Sequence, residues 1–119
     1  MNVLPVGNGI LFKSKIKKLY KQGKIKVEYD IYGNKLTKKN VTDEHIICKC
    51  FGGTSDLSNI ALATKEANWA RGCKPIEEFL TYGQLRQYLL QFKDIKLPNF
   101  DGNEYIAGIR KTIKGIIDD

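Results

Sequence analysis

Residues 43–72 read DEHIICKCFGGTSDLSNIALATKEANWARG, and the fold turns on how this stretch is parsed. DEHIIC is short and β-branched, which suits a strand. FGGTSDLSN is a loop by composition, and IALA suits a second strand. TKEANWARG is rich in helix formers, with Thr64 placed to cap its start and Gly72 to stop it. The stretch also holds the chain's only histidine, His45, directly after the acids Asp43 and Glu44.

Outward from this centre the pattern changes. Toward the N-terminus, Phe12, Ile16, Leu19 and Tyr20 recur at helical spacing, which predicts a basic amphipathic helix over residues 12–22 that Gly23 can end. KIKVEYDIYGNKLT predicts extended chain around a tight turn at Gly33-Asn34. Toward the C-terminus, IEEFL after Pro75 reads as a helical turn or two. TYGQLRQYLLQF follows as a helix, with Thr81 and Gln84 spaced as a capping box and Leu85, Tyr88, Leu89 and Phe92 on its apolar face. KLPN breaks the chain. A last helix begins at Asp101, boxed with Glu104, and buries Tyr105, Ile109, Ile113 and Ile116 or Ile117.

These elements fit one domain over residues 1–119, with a basic N-terminal helical segment (1–23), a central core (24–74) and a helical C-terminal segment (75–119). No apolar run is long enough to span a membrane, and the first residues lack the form of a secretory signal. A cytoplasmic setting and no membrane partner are therefore expected. Three cysteines, Cys48, Cys50 and Cys73, without a C-x-x-C pair argue against a disulfide scaffold. A zinc site from Cys48, Cys50, Cys73 and His45 fits the usual ligand spacings poorly.

The formal net charge is +7, and lysines 13, 15, 17, 18, 21, 24 and 26 follow one another with no acid between them. Such a run favours a polyanion, and nucleic acid is the natural one, because each neutralised phosphate releases a counterion. A plain solvated face is the alternative. Lys13, Lys15, Lys17, Lys18, Lys21 and Lys49 are the candidate contacts.

Histidine is the side chain best suited to take a proton near neutral pH. A hard cation such as Mg²⁺ takes oxygen ligands and keeps several waters, so one carboxylate and one amide oxygen suffice to hold it. Glu44 and Asn68 are candidates for that pair. Asn59, at the start of the second strand, can bridge backbone groups across the long loop and fix His45. Alone, each has a bland reading: a core histidine, a solvated acid, cap or turn asparagines. Trp69 reads as a core residue rather than one that packs on a sugar or base.

The joint pattern Glu44-His45, Gly52-Gly53, Asn59 and Asn68, with intervals of 14 and 9 residues, resembles the HNH nuclease family. The resemblance covers about 30 residues. It implies an α+β fold with a ββα-metal core between flanking N- and C-terminal helices. It further implies His45 as general base, Glu44 and Asn68 as ligands of Mg²⁺ or Mn²⁺, and Asn59 as the residue that orders the loop. Arg71, one turn beyond Asn68, would meet a phosphate. Many family members carry Asp where this chain has Glu44. Many also hold a structural zinc with two C-x-x-C pairs, whose positions fall here on Tyr29, Tyr32, Thr64 and Ala67. No structural zinc is expected, and the C-terminal helices are the expected source of compensating burial.

The implied activity is metal-dependent hydrolysis of DNA phosphodiesters with little sequence preference. A monomer would nick and a homodimer could break both strands. RNA as substrate, a non-catalytic nucleic-acid- or protein-binding module, and a bacterial or phage-infected host remain part of the same expectation.

Overall fold

The computed structural model describes residues 15–117, in which the chain forms a mixed α+β domain with four helices and two small antiparallel sheets. Helix α1 (Lys15–Lys21) buries Ile16, Leu19 and Tyr20 and ends before Gly23, whose φ of 75° suits a residue without Cβ. Phe12 and Lys13 lie outside the described residues.

The chain expected to extend around Gly33-Asn34 forms a single bridge, Tyr29 to Lys35, rather than two strands. The reason is Asp30, which is fully buried and gathers the local donors onto its carboxylate. Its Oδ1 accepts the backbone N–H of Tyr32 (2.9 Å) and of Asn34 (2.8 Å), and its Oδ2 accepts that of Thr64 (2.8 Å). A turn held by an aspartate in this way competes with a strand ladder.

Strand β1 (Val41–His45) pairs antiparallel with β2 (Ile60–Thr64), in register from Val41 opposite Thr64 to His45 opposite Ile60. Helix α2 (Lys65–Arg71) follows β2 without a gap. Thr64 caps it by accepting the Ala67 N–H at 3.2 Å, and Gly72, at φ 57°, ends it, both as expected.

A two-stranded sheet leaves two rows of unpaired backbone groups. On β2 those groups are taken by side chains of the C-terminal segment and by the turn near Asp30. The Leu62 N–H donates to the Tyr88 hydroxyl (2.9 Å), that hydroxyl meets Tyr105 Oη (2.8 Å), and Tyr105 donates to the Ile60 carbonyl (2.8 Å). The Ile31 N–H donates to the Leu62 carbonyl at 3.0 Å.

Tyr88 belongs to helix α3 (Tyr82–Leu90), where both halves of the Thr81–Gln84 capping box are present. Tyr105 belongs to helix α4 (Gly102–Ile117), which Asp101 caps by accepting the N–H groups of Asn103 and Glu104. Between these helices, KLPN forms a small hairpin, β3 (Lys96–Leu97) with β4 (Phe100–Asp101), where only a break was expected. Phe92 packs between Tyr88 and Tyr105, with ring centroids 5.1 and 4.8 Å away. Burying each such ring stabilises the fold by about 2 kcal/mol or more. The C-terminal helices thus clamp β2 by apolar packing and by hydrogen bonds. No described helix is long and apolar enough to cross a membrane.

Candidate functional site

Alternation along β1 sets Asp43 and His45 on one face and Glu44 on the other. The register places Glu44 beside Ala61, and Thr42 beside Ala63, so this face is lined by small residues. Helix α2 covers the same side, and its Arg71 reaches Glu44.

Glu44 is buried. Tyr32 donates its hydroxyl to Glu44 Oε2 at 2.6 Å, and Arg71 Nη1 lies 3.5 Å from the same oxygen. Burial pushes the Glu44 carboxyl upward, while the Tyr32 hydroxyl and the Arg71 charge oppose that push. Burial also raises Tyr32 far above the ordinary phenol range, so it acts as a donor here. Tyr32 and Thr64, two of the positions where the sequence resemblance would set zinc cysteines, are instead a hydroxyl donor to Glu44 and the cap of α2.

Arg71 is only 2% exposed. Its Nη1 donates to the His45 carbonyl (2.6 Å), Nη2 to the Ile46 carbonyl (2.8 Å) and Nε to the Lys74 carbonyl (2.8 Å). A guanidinium directed inward to three carbonyls and a carboxylate has no open edge for a phosphate. Its place is that of a clip between the end of α2 and the end of β1.

Asn68, half-buried, donates Nδ2 to the Asp43 carbonyl at 3.0 Å, which leaves its Oδ1 as the atom suited to a cation. Asn59 is buried in the loop between the strands. Its Oδ1 accepts the Ile47 N–H (2.8 Å), and its Nδ2 donates to the carbonyls of Ile47 (3.0 Å) and Thr54 (2.8 Å). One side chain therefore laces both sides of the loop. Gly52 adopts φ 88° within it, and a Cβ at Gly53 would come 1.7 Å from the Ile47 carbonyl oxygen. The two glycines serve different needs, a left-handed turn and a close approach.

His45 is half-buried, and its Nε2 lies 3.2 Å from Ser55 Oγ on that laced loop. Burial, then the charges of Lys49 and Arg71, lower its pKa from 6.5, so the imidazole is neutral at pH 7. That is the form able to accept a proton. Asp43, on the same face, is the one place among the described residues where a buried side-chain oxygen lacks a partner. Its Oδ1 is buried and accepts no hydrogen bond from a described residue. Burial raises its pKa above 3.8, and Lys17 of α1 offsets part of that rise.

Lys17 is half-buried, Lys18, Lys21 and Lys49 are exposed, and only the backbone of Lys15 is described. Trp69 corrects the sequence reading: it is 88% exposed rather than core. In α2, Ala67, Asn68 and Arg71 face inward, which turns Trp69 to solvent.

Glu44 and Asn68 Oδ1 on the α2 side, and Asp43 Oδ1 on the opposite face of β1, are oxygen donors of the kind a hard divalent cation takes. No three His, Cys, Asp or Glu side chains cluster as a metal site among the described residues. A cation here would rest on carboxylate oxygen, the Asn68 amide and water. No hydrogen bond or ion pair links His45 to the side chains of Glu44 or Asn68 among the described residues. Sequence reasoning missed Tyr32, Ser55 and the unpartnered Asp43. Only Asp43 carried a signal, its two-residue spacing from His45. Set against known protein families, curated proteins and solved structures, the chain has no match.

Proposed function

We propose that this chain is a metal-dependent endonuclease of the HNH type, built on a ββα-metal core (β1, β2 and α2), that hydrolyses DNA phosphodiesters. The observation that carries the reading is His45: a half-buried imidazole at a strand end, in contact with a loop that Asn59 and two glycines hold in one shape. The ring nitrogen of His45 that Ser55 does not engage takes the proton from the attacking water. Ser55 orients the ring, and Asn59 keeps the Ser55 loop in place. Glu44 and Asn68 would hold Mg²⁺ or Mn²⁺ on the α2 side of β1, and Asp43, on the opposite face with His45, offers a separate oxygen that has no hydrogen-bond partner among the described residues. When bound, such a cation supplies charge stabilisation for phosphorus and for the leaving oxygen. Lys17 and Lys49 act electrostatically on Asp43 and His45, so two of the candidate basic residues stand near the proposed base and its neighbour. Arg71 supports the site from within and does not touch DNA in this reading.

A second reading has its own observation. Glu44 Oε2 is already engaged by Tyr32 and Arg71, which suits a non-catalytic nucleic-acid-binding module that reuses the HNH frame. The test is cleavage of supercoiled plasmid with Mg²⁺, Mn²⁺ or EDTA, run beside His45→Ala. Metal-dependent open circles that disappear in the variant support the nuclease. A folded wild type that binds DNA and never cuts under any metal supports the binding module.

A further inference from the structure

Two thiols outside the proposed site stand close together. Cys50 lies in a single 3₁₀ turn (Lys49–Phe51) on the loop between β1 and β2, and Cys73 lies two residues beyond α2. Their sulfurs are 3.4 Å apart, and both residues are exposed and free. Cys48 differs. It is buried, with its S–H directed at the Gly72 carbonyl at 3.6 Å. A disulfide needs a sulfur separation of about 2.05 Å, so closing the gap asks for a shift of little more than about 1 Å. Exposed turns on both sides can supply that.

We infer that Cys50 and Cys73 form a dithiol site that a low-molecular-weight disulfide oxidises to an intramolecular disulfide. The thiolate of one cysteine attacks the oxidant RS–SR, forms a mixed disulfide and releases one RS⁻. The thiolate of the other then attacks the protein sulfur of that mixed disulfide and releases the second RS⁻. Two protein thiols and RSSR become one protein disulfide and two RSH. The bridge closes residues 50–73 into a ring that contains Ser55, Asn59, β2 and α2. It ties the His45-facing loop to the helix end that carries Arg71. This inference does not rest on the nuclease reading, since it needs only two exposed sulfurs at contact distance.

The experiment is incubation of the reduced full chain with oxidised glutathione, followed by intact mass and peptide mapping. The expected result is a mass lower by about 2 Da, a Cys50–Cys73 linked peptide and a Cys48 that is alkylated only after unfolding. Dithiothreitol reverses it, and Cys73→Ser instead carries one glutathione on Cys50. A wild type with glutathione on both Cys50 and Cys73, with no modification, or with a bridge through Cys48, overturns the inference.

Discussion

The two faces of β1 solve opposite problems with neighbouring residues. On the side of α2, Glu44 is 3% exposed, and its charge meets a hydroxyl and a guanidinium that themselves brace the strand end. On the other side, among the described residues, Asp43 keeps a buried oxygen without a hydrogen-bond partner and the His45 ring meets Ser55 alone. The first arrangement engages one Glu44 oxygen twice and serves rigidity. The second leaves bonding capacity unused, and unused capacity is what a ligand, a cation or a reacting water can take.

The comparison breaks most visibly at Arg71. Arg71→Ala strands the Glu44 charge and frees the carbonyls of His45 and Ile46, so a stability loss of about 3–5 kcal/mol is expected in denaturant unfolding. A loss below about 1 kcal/mol would show the cluster to be loose. Combining it with Glu44→Gln should recover part of the loss, since the stranded charge is then gone.

His45→Ala should act the other way round. Plasmid cleavage is expected to fall by about 10² to 10⁴, while unfolding free energy changes by less than about 1 kcal/mol. The pH profile carries a sign as well. The folded imidazole has a pKa below 6.5 because of burial and of Lys49 and Arg71. Its contribution to stability is therefore full above 6.5 and is lost as pH falls through the folded value. The acid limb of cleavage should lie in the same range, and His45→Ala should flatten that part of the stability curve.

Asp43 sharpens the contrast further. Its folded pKa is raised, so the group favours folding below 3.8 and this contribution is lost as pH rises through the folded value. Ionised Asp43 is thus a net cost at neutral pH without a cation. Asp43→Asn should raise stability by about 1 kcal/mol at pH 7, a small effect because water still reaches the group, and the gain should vanish in acid. Thermal shift with added Mn²⁺ reads the other half: wild type should gain stability from the ion and Asp43→Asn should gain less.

The smallest stability effect belongs to Trp69. With 88% of it exposed, Trp69→Ala should leave stability within about 0.5 kcal/mol. If the indole stacks on an unpaired base, the same change should weaken single-stranded DNA binding by about 1 kcal/mol or more in a fluorescence titration. Equal affinity of the two proteins would mark Trp69 as a bystander.

Trp69 departs from the sequence expectation because burial of apolar groups is a one-way rule, and an apolar residue in a helix can face solvent. A helix of seven residues has room for one inward stripe, and Ala67, Asn68 and Arg71 fill it. The 28–36 segment departs for another reason. Its alternation was legible, but Asp30 drew the donors of Tyr32, Asn34 and Thr64 to one carboxylate, and Thr64 is 34 residues away.

What the sequence determined by itself was local. Thr64 and Gly72 bound α2, Thr81 and Gln84 start α3, and Gly52-Gly53 with Asn59 marks a loop whose shape needs those residues. Each depends on groups within a few positions, where spacing alone sets the geometry. The tertiary structure decided what crosses the chain: that Arg71 turns inward, that Tyr32 meets Glu44, and that Tyr88 and Tyr105 seal β2. Spacing cannot announce such contacts, because they join residues 12 to 45 positions apart whose approach exists only once the core has closed.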